Sequence, residues 1–212
     1  MSHTGDPGVT RAVILPPLFA TVPFSAYDHA APWALLGVLL DEVLGDRQVI
    51  DPTAKVHPSA VIDGPVYIGP NAQVRPGAVI RSGSWIGEGA VVGANTEIKR
   101  GILFPGAQAP HLNFVGDSVL GARVNLGAGC ILSNHRHDRQ HVVIAGTDTG
   151  RTKLGAILGD GVIIGCGTVL HPGVIVGRET QTYPGAHLRP GIYGDRKIIK
   201  LRLELDIVSR RD

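Results

Sequence analysis

The chain has 212 residues, which suits one domain with short appendages. Apolar residues make up 43% of the sequence and aromatic residues only 5%, so the core must be built mainly from aliphatic side chains. The formal net charge of +2 gives little long-range attraction to nucleic acid or to a membrane surface. No apolar run reaches the roughly 18 residues of a membrane-spanning helix. From the charge and this observation together, we expect no nucleic-acid partner and no membrane partner.

Residues 1–51 form an N-terminal segment whose clearest element is an apolar helix at about 31–45. Pro32 suits its first turn, and Gly45 follows as a stop signal. A helix this apolar must pack against another surface. We predict that it caps the open end of the next domain, which would otherwise expose a sheet edge. The alternative is a contact with another subunit or partner.

A hexapeptide repeat dominates residues 52–190. A period of six fits neither a helix nor a simple alternating strand, so each unit is interpreted as a short strand plus a corner, with three units to a coil. The pattern therefore predicts an all-β solenoid with stacked inward-facing aliphatic residues. The predicted inward residues are Val56, Ile62, Ile68, Val74, Ile80, Ile86, Val92, Ile98 and Phe104, and later Leu158, Ile164, Leu170, Val176, Thr182 and Leu188.

The repeat is interrupted twice between these two runs. After Phe104 the predicted inward positions are Pro110, Val115, Leu120, Leu126 and Leu132, which include two five-residue steps. A shortened step deforms a corner and re-aims its side chains. Residues 133–157 are then too polar to remain in a coil and are expected to protrude as a loop, and residues 191–212 form a C-terminal tail. Function is expected at the interruptions.

Histidines gather at these interruptions, whereas the nucleotide-binding and hydrolase glycine motifs are missing. The residues are His111, His135, His137 and His141. A neutral histidine is a suitable general base near neutral pH. Three histidines could instead hold zinc with one open position, but the HxxxxH spacing of metal-binding hexapeptide proteins does not occur, so we expect no metal.

Five short motifs carry a family resemblance, in the order 74–78, 96–99, 111–117, 124–129 and 133–134. Together they resemble the C-terminal acetyltransferase half of bacterial bifunctional N-acetylglucosamine-1-phosphate uridylyltransferase, over roughly residues 50–190. The chain also looks like stand-alone proteins of the same family. The resemblance implies a left-handed parallel β-helix, acetyl-CoA or another acyl-CoA as co-substrate, and a homotrimer with active sites between subunits.

The resemblance also implies roles for individual residues. His111 becomes the base that deprotonates the attacking group, and Asn134 joins it at the catalytic centre, holding the sugar together with Asn125. Arg75 and Lys99 face the sugar phosphate.

Two further positions are implied beside the thioester of acetyl-CoA, namely the backbone at Ala128 and at Cys166. The Cys166 N–H is the candidate donor to the oxyanion. Phe114 and His135 occupy substrate-binding positions where the family has tyrosines. These exchanges, and the lack of a secure equivalent for a phosphate-binding lysine other than Lys153, leave the acceptor open.

The leading interpretation is therefore an acyltransferase that acts on an amino or hydroxyl group of a sugar phosphate, amino sugar or other small polar acceptor. One alternative is a non-catalytic binding or regulatory relative, and another is a zinc-dependent hydratase or lyase. The two cysteines, Cys130 and Cys166, form no CxxC pair, and the first residues lack the order of a secretion signal. We expect a cytoplasmic protein.

Overall fold

The fold is a parallel β-helix of triangular cross-section. The structure, a computed structural model, describes residues 18–20, 31–38 and 44–202, and for Val38 only the backbone. Successive strands join three different parallel sheets in turn, so every third strand pairs with its equivalent in the next coil. The predicted class, an all-β left-handed parallel β-helix, is confirmed.

Two of the sheets have eight strands and the third has seven. Sheet A contains β1 Gln48–Ile50, β4 Val66–Ile68, β7 Ser84–Ile86, β10 Ile102–Leu103, β13 Val119–Leu120, β18 Ala156–Leu158, β21 Val174–Val176 and β24 Gly191–Tyr193. Sheet B contains β2 Lys55–Val56, β5 Gln73–Val74, β8 Val91–Ala94, β11 Gln108–His111, β14 Asn125–Leu126, β19 Ile163–Ile164, β22 Gln181–Thr182 and β25 Ile198–Ile199. Sheet C contains β3 Val61–Ile62, β6 Val79–Arg81, β9 Glu97–Lys99, β12 Phe114–Gly116, β15 Ile131–Leu132, β20 Val169–Leu170 and β23 His187–Leu188. These sheets therefore include residues on both sides of the predicted span 52–190.

The core inside the three sheets is aliphatic, and most predicted inward residues lie in it. Ile68, Ile80, Ile86, Val92 and Ile98 are fully buried there. Val56 and Ile62, in the first coil, are only partly buried. From Leu158 to Leu188 all six predicted residues are buried. The six-residue period thus located the core correctly wherever the coils are regular.

Two of the predicted inward residues are wrong. The residue paired with Ile86 in the next coil is Leu103, and Phe104 instead points out of the coil into a separate apolar cluster. Similarly, Ala109 rather than Pro110 pairs with Val92. The shortened steps therefore run from Ile98 to Leu103 and from Val115 to Leu120, and not around Pro110.

Both shortened steps fall at the corner between sheets C and A. The long excursion that follows Leu132 leaves the coil at the same corner and returns at β18. It contains an antiparallel pair, β16 Val143–Ile144 and β17 Thr147–Asp148, and a backbone bridge between His135 and Lys153. All three irregularities thus lie on one edge of the prism, in three successive coils.

The N-terminal helical residues that the structure describes cover a side of the prism and do not cap its end, contrary to the prediction. A 3₁₀-helix, Pro32–Ala34, leads into α1, Leu35–Val38; the rest of the predicted helix, residues 39–43, lies outside the described residues. Trp33, Leu35 and Leu36 join a cluster with the outward-facing residues of sheet A. Those residues are Trp85, Ile102, Val119, Ile157 and Ile175.

Within the described residues, no helix is long and apolar enough to cross a membrane.

Candidate functional site

A basic cleft of about 310 Å³ lies at the irregular corner between sheets C and A. Its walls combine the two shortened corners with the end of the long loop. They are formed by Lys99, Arg100, Asp117, Gly150, Arg151, Thr152 and Lys153. Four cationic side chains thus surround a single carboxylate, an arrangement that suits an anionic ligand.

Asp117 organises the inner wall of this cleft. Its side chain is only 4% exposed, and its Oδ1 lies 3.3 Å from Nε of Arg100. Asn134 Nδ2 donates a hydrogen bond of 2.5 Å to its other oxygen. Arg100 Nε is itself buried and has no hydrogen-bond partner among the described residues, because the contact with Asp117 is an ion pair without hydrogen-bond geometry.

The cations of the cleft disfavour one another's charge. Burial lowers the pKa of Lys99, the nearby Lys153 and Arg81 lower it further, and Asp117 opposes them. Burial also lowers the pKa of Arg151, with Arg100 adding to the effect. A bound anion would offset the lowering of both pKa values, so the cleft is electrostatically suited to an anionic ligand.

Arg81 belongs with this site, although sequence reasoning missed it. It ends β6 in register with Lys99, one coil away, and its Nη1 pairs with Glu97 at 3.2 Å.

Arg75, predicted to act with Lys99, instead lines a separate hollow with His57 at the corner between sheets B and C. Within one chain the structure does not bring Arg75 and Lys99 together.

His111, Ala128 and Cys166 form a column on that second corner. Each is the second residue after an inward residue of sheet B, namely Ala109, Leu126 and Ile164. Backbone hydrogen bonds tie the column together: Gly129 N–H donates to His111 C=O over 3.1 Å, and Gly167 N–H donates to Ala128 C=O over 2.8 Å. Three residues that the resemblance assigned to one reaction centre therefore lie at equivalent positions in consecutive coils.

Backbone strain accompanies His111. The next residue, Leu112, has a φ of +53°, whereas the equivalent positions in the following coils are Gly129 and Gly167, which adopt such angles readily. For a leucine this conformation costs about 1–2 kcal/mol. Strain of this kind is often found at functional sites.

A buried polar ladder supports the same corner from inside. Thr96 Oγ1 accepts a bond from Asn113 N–H, and Asn113 Oδ1 in turn accepts one from Cys130 N–H over 2.8 Å. Burial raises the pKa of the Cys130 thiol to about 11, so this cysteine stays neutral near pH 7. The ladder fixes the corner backbone that carries His111.

The remaining predicted residues lie around sheet C. Phe114 is half-buried on its outer face, between Glu97 and Ile131 in register, and Asn134 contacts the basic cleft through Asp117. His135 is exposed at the start of the loop.

Asn125 lies on sheet B in register with Gln108, so it is not brought to the basic cleft of its own chain.

The loop histidines do not assemble into a metal centre in this part of the structure. His141 Nδ1 lies 3.2 Å from Asp148 Oδ2, at the hairpin of β16 and β17. In the described residues, no group of three or more His, Cys, Asp or Glu side chains is placed to hold a metal ion.

The fold defines a β-helix protein, and its basic cleft has the charge to suit a small anionic ligand. Residues 62–180 match the family model described as "GMPPB C-terminal domain", which is more than half of the chain, and the chain belongs to this family.

Curated relatives match between 34% and 62% of the chain in the two cases that follow. A bifunctional sugar-1-phosphate nucleotidylyltransferase/acetyltransferase from Sulfurisphaera tokodaii is 40% identical over 77 residues, or 34% of this chain and 19% of the relative. The bifunctional protein GlmU from Staphylococcus haemolyticus is 30% identical over 136 residues, or 62% of this chain and 25% of the relative. The chain thus spans a quarter or less of the length of these relatives. They confirm the resemblance to bifunctional nucleotidylyltransferase/acetyltransferases.

Among solved structures, a hexapeptide transferase family protein from Anaplasma phagocytophilum is 21% identical, with a TM-score of 0.43. The match covers 79% of this chain and 87% of that one.

Proposed function

We propose that the protein transfers an acyl group from acyl-CoA to an amine or hydroxyl of a small anionic acceptor such as a sugar phosphate. The observation that carries the proposal is the column of His111, Ala128 and Cys166 on one corner, where an acyl thioester would lie along the coils. The basic cleft supplies the anion site for the acceptor. The name of the Sulfurisphaera tokodaii relative, which includes an acetyltransferase activity, supports the same reaction class.

In the proposed mechanism, the acceptor nucleophile attacks the thioester carbonyl while His111 removes its proton. The carbonyl oxygen becomes an oxyanion, which accepts a hydrogen bond from Cys166 N–H. Collapse of the intermediate re-forms the carbonyl and breaks the carbon–sulfur bond. The leaving CoA thiolate takes the proton from His111, so no covalent enzyme intermediate and no metal are needed.

The site is proposed to combine two subunits of a homotrimer. His111 ends a strand of sheet B, whereas Lys99 ends a strand of sheet C on the far edge of that sheet. The base and the anion site therefore lie at different corners of one chain. Packing a neighbouring subunit against the prism would let its basic corner face His111, as the family resemblance implies.

The direct test replaces His111 by alanine. We expect turnover to fall by about 10²- to 10⁴-fold, because the acceptor loses its base, while the thermal melting curve is unchanged because the side chain is exposed. His57→Ala is the matched control, since this exposed histidine lies in the first coil. A rate unchanged by His111→Ala would rule out the mechanism.

The non-catalytic alternative gives a different result in the same assay. Acetyl-CoA would bind to the unaltered protein, but no acceptor in a broad panel of amino sugars and sugar phosphates would be acylated.

A further inference from the structure

A second, larger cleft lies beside the basic cleft, and the proposed mechanism uses none of its residues. Its volume is about 570 Å³, within the range of small-molecule sites. It is bounded by the outer face of sheet C, the first residues of the long loop and the next corners of the coils. Its lining is Ile131, Ser133, His135, Arg136, His137, Asp138, Val169, His171, Pro172 and Pro190.

The lining combines an apolar floor with planar side chains. Ile131, which is 44% exposed, and Val169 are outward-facing partners in register on sheet C. Three imidazoles stand around them, and the His171 ring is 6.3 Å from that of His187. Flat, weakly polar surfaces of this kind suit a planar heteroaromatic ring.

Arg136 adds a second planar group that is held in place. Its Nε donates to Asp138 Oδ1 over 2.9 Å, and its Nη2 pairs with the other oxygen of the same carboxylate. A guanidinium fixed in this two-point manner offers its face for stacking on an aromatic ring. Because Asp138 already neutralises it, Arg136 contributes a stacking surface more than an additional anion site.

One backbone bridge separates this second cleft from the basic cleft. His135, which lines the second cleft, is paired antiparallel with Lys153, which lines the basic one. Backbones paired in this way are about 5 Å apart. A ligand whose anionic group is held by Lys153 and Lys99 can therefore extend directly into the second cleft.

We propose that the acceptor is a nucleotide-linked sugar, with its diphosphate in the basic cleft and its nucleobase in the second cleft. The inference rests on the proposed function, because it identifies the acceptor class of that site. A sugar monophosphate would occupy only the basic cleft, and the larger apolar cleft beside it would remain unexplained.

Binding without an acyl donor tests this inference separately from catalysis. In titration calorimetry on the full chain, uridine, guanosine and thymidine diphosphates are compared with pyrophosphate, which carries the anion but no base. We expect at least one nucleotide to bind about ten-fold or more tightly than pyrophosphate, the gain expected from stacking one base. Equal binding of all four probes would overturn the inference.

Two variants locate the contribution of the base. His171→Ala and Ile131→Gln should abolish the preference for the nucleotide and leave pyrophosphate binding unchanged, whereas Lys99→Ala should weaken both. Ile131→Gln keeps the size of an exposed side chain, so it remains informative if His171→Ala fails to fold. Val61→Gln is the matched control, because Val61 is an exposed residue of sheet C that lies four strands away from Ile131. A nucleotide preference that survives both cleft variants would contradict the placement of the base.

Two further outcomes are distinguishable. If Ile131→Gln changes the oligomeric mass in solution, the cleft is covered by a second copy of the chain and the inference fails. If nucleotides bind as expected but no acyl transfer is found, the proposed reaction fails while the nucleotide site stands. His111→Ala should bind nucleotides as the unaltered protein does.

Discussion

At the scale of single residues, Lys99 is a group whose charge should respond to an anion bound in the cleft. Its pKa is lowered from 10.5 by burial and by neighbouring cations, so the folded protein holds this proton less tightly than the unfolded chain. Below its lowered pKa, charged Lys99 therefore destabilises the folded protein. This destabilisation disappears as the pH rises from the lowered pKa to 10.5. An anion in the cleft should raise the pKa again.

We therefore predict that pyrophosphate or nucleotide binding is accompanied by proton uptake in the window between the lowered pKa of Lys99 and 10.5. Calorimetry in buffers with different ionisation enthalpies measures the number of protons taken up. Lys99→Arg provides the comparison, because arginine remains charged throughout and should show smaller uptake. Equal uptake by the two proteins would mean that Lys99 does not contact the anion.

Asp117 should contribute to stability far more than a surface carboxylate. Asp117→Asn keeps the shape but removes the charge beside Arg100, and we expect the free energy of unfolding to fall by about 1–3 kcal/mol. Glu97→Gln is the control, since the Glu97–Arg81 pair is 37% and 47% exposed and should contribute less than about 1 kcal/mol. Denaturant unfolding compares the two, and equal losses would contradict the organising role of Asp117.

Sequence reasoning named some residues of the proposed site and missed others, for identifiable reasons. His111 and Lys99 stand within ordered motifs, so their positions followed from the resemblance. Arg81 ends a regular strand and looks like any solvated corner residue until the register pairs it with Lys99. Arg151 lies far along the loop, and only the folded loop brings it beside Asp117 and Arg100.

At the scale of elements, the period of six predicted the coils but could not place the shortened steps. Leu103 and Phe104 are both apolar, so the pattern alone cannot decide which one faces inward. The loop shows the same limit: a protruding polar loop was predicted, yet Val142, Ile144 and Leu154 are buried in the apolar cluster that also contains N-terminal residues. That packing depends on contacts between distant parts of the chain.

Phe104 lies in the outer apolar cluster and Leu103 in the core of the coils, so changing each residue should affect a different part of the molecule. The Phe104 ring lies 4.8 Å from Phe19 and 6.3 Å from Trp85, outside the coil, whereas Leu103 lies inside it. Each change to alanine should cost a few kcal/mol, about 3–5 for Phe104 and 2–5 for Leu103. We expect Phe104→Ala to speed hydrogen exchange mainly in residues 18–20 and 31–36, and Leu103→Ala mainly in the strands paired with β10.

Hydrogen exchange read by mass spectrometry distinguishes the two variants, because it reports protection segment by segment. The two residues are adjacent in sequence, so each variant is the control for the other. A uniform loss of protection in both variants would mean that the N-terminal segment and the solenoid unfold as one unit.

At the scale of the whole molecule, the solenoid leaves apolar side chains on its outer surfaces. Ile131 on sheet C and Ile163 on sheet B are 44% and 42% exposed, while the outer face of sheet A is covered by the N-terminal segment and the loop. Because Ile131 lines the second cleft, sheet B is the face that we propose for contact with a neighbouring subunit. His111 lies at the corner where sheet B meets sheet C, beside this proposed contact.

The proposed inter-subunit site predicts that two inactive variants will restore activity when combined. His111→Ala and Lys99→Ala should each be inactive, the first through loss of the base and the second through loss of the anion contact. When equal amounts are denatured, mixed and refolded together, about a quarter of the sites in random trimers pair an intact His111 with an intact Lys99 from the neighbouring chain. Acyl transfer should recover to about that fraction, whereas a site contained within one chain would give none, since every chain then carries one defect. Refolding each variant alone gives the background, and sedimentation confirms that mixed and unmixed samples have the same mass.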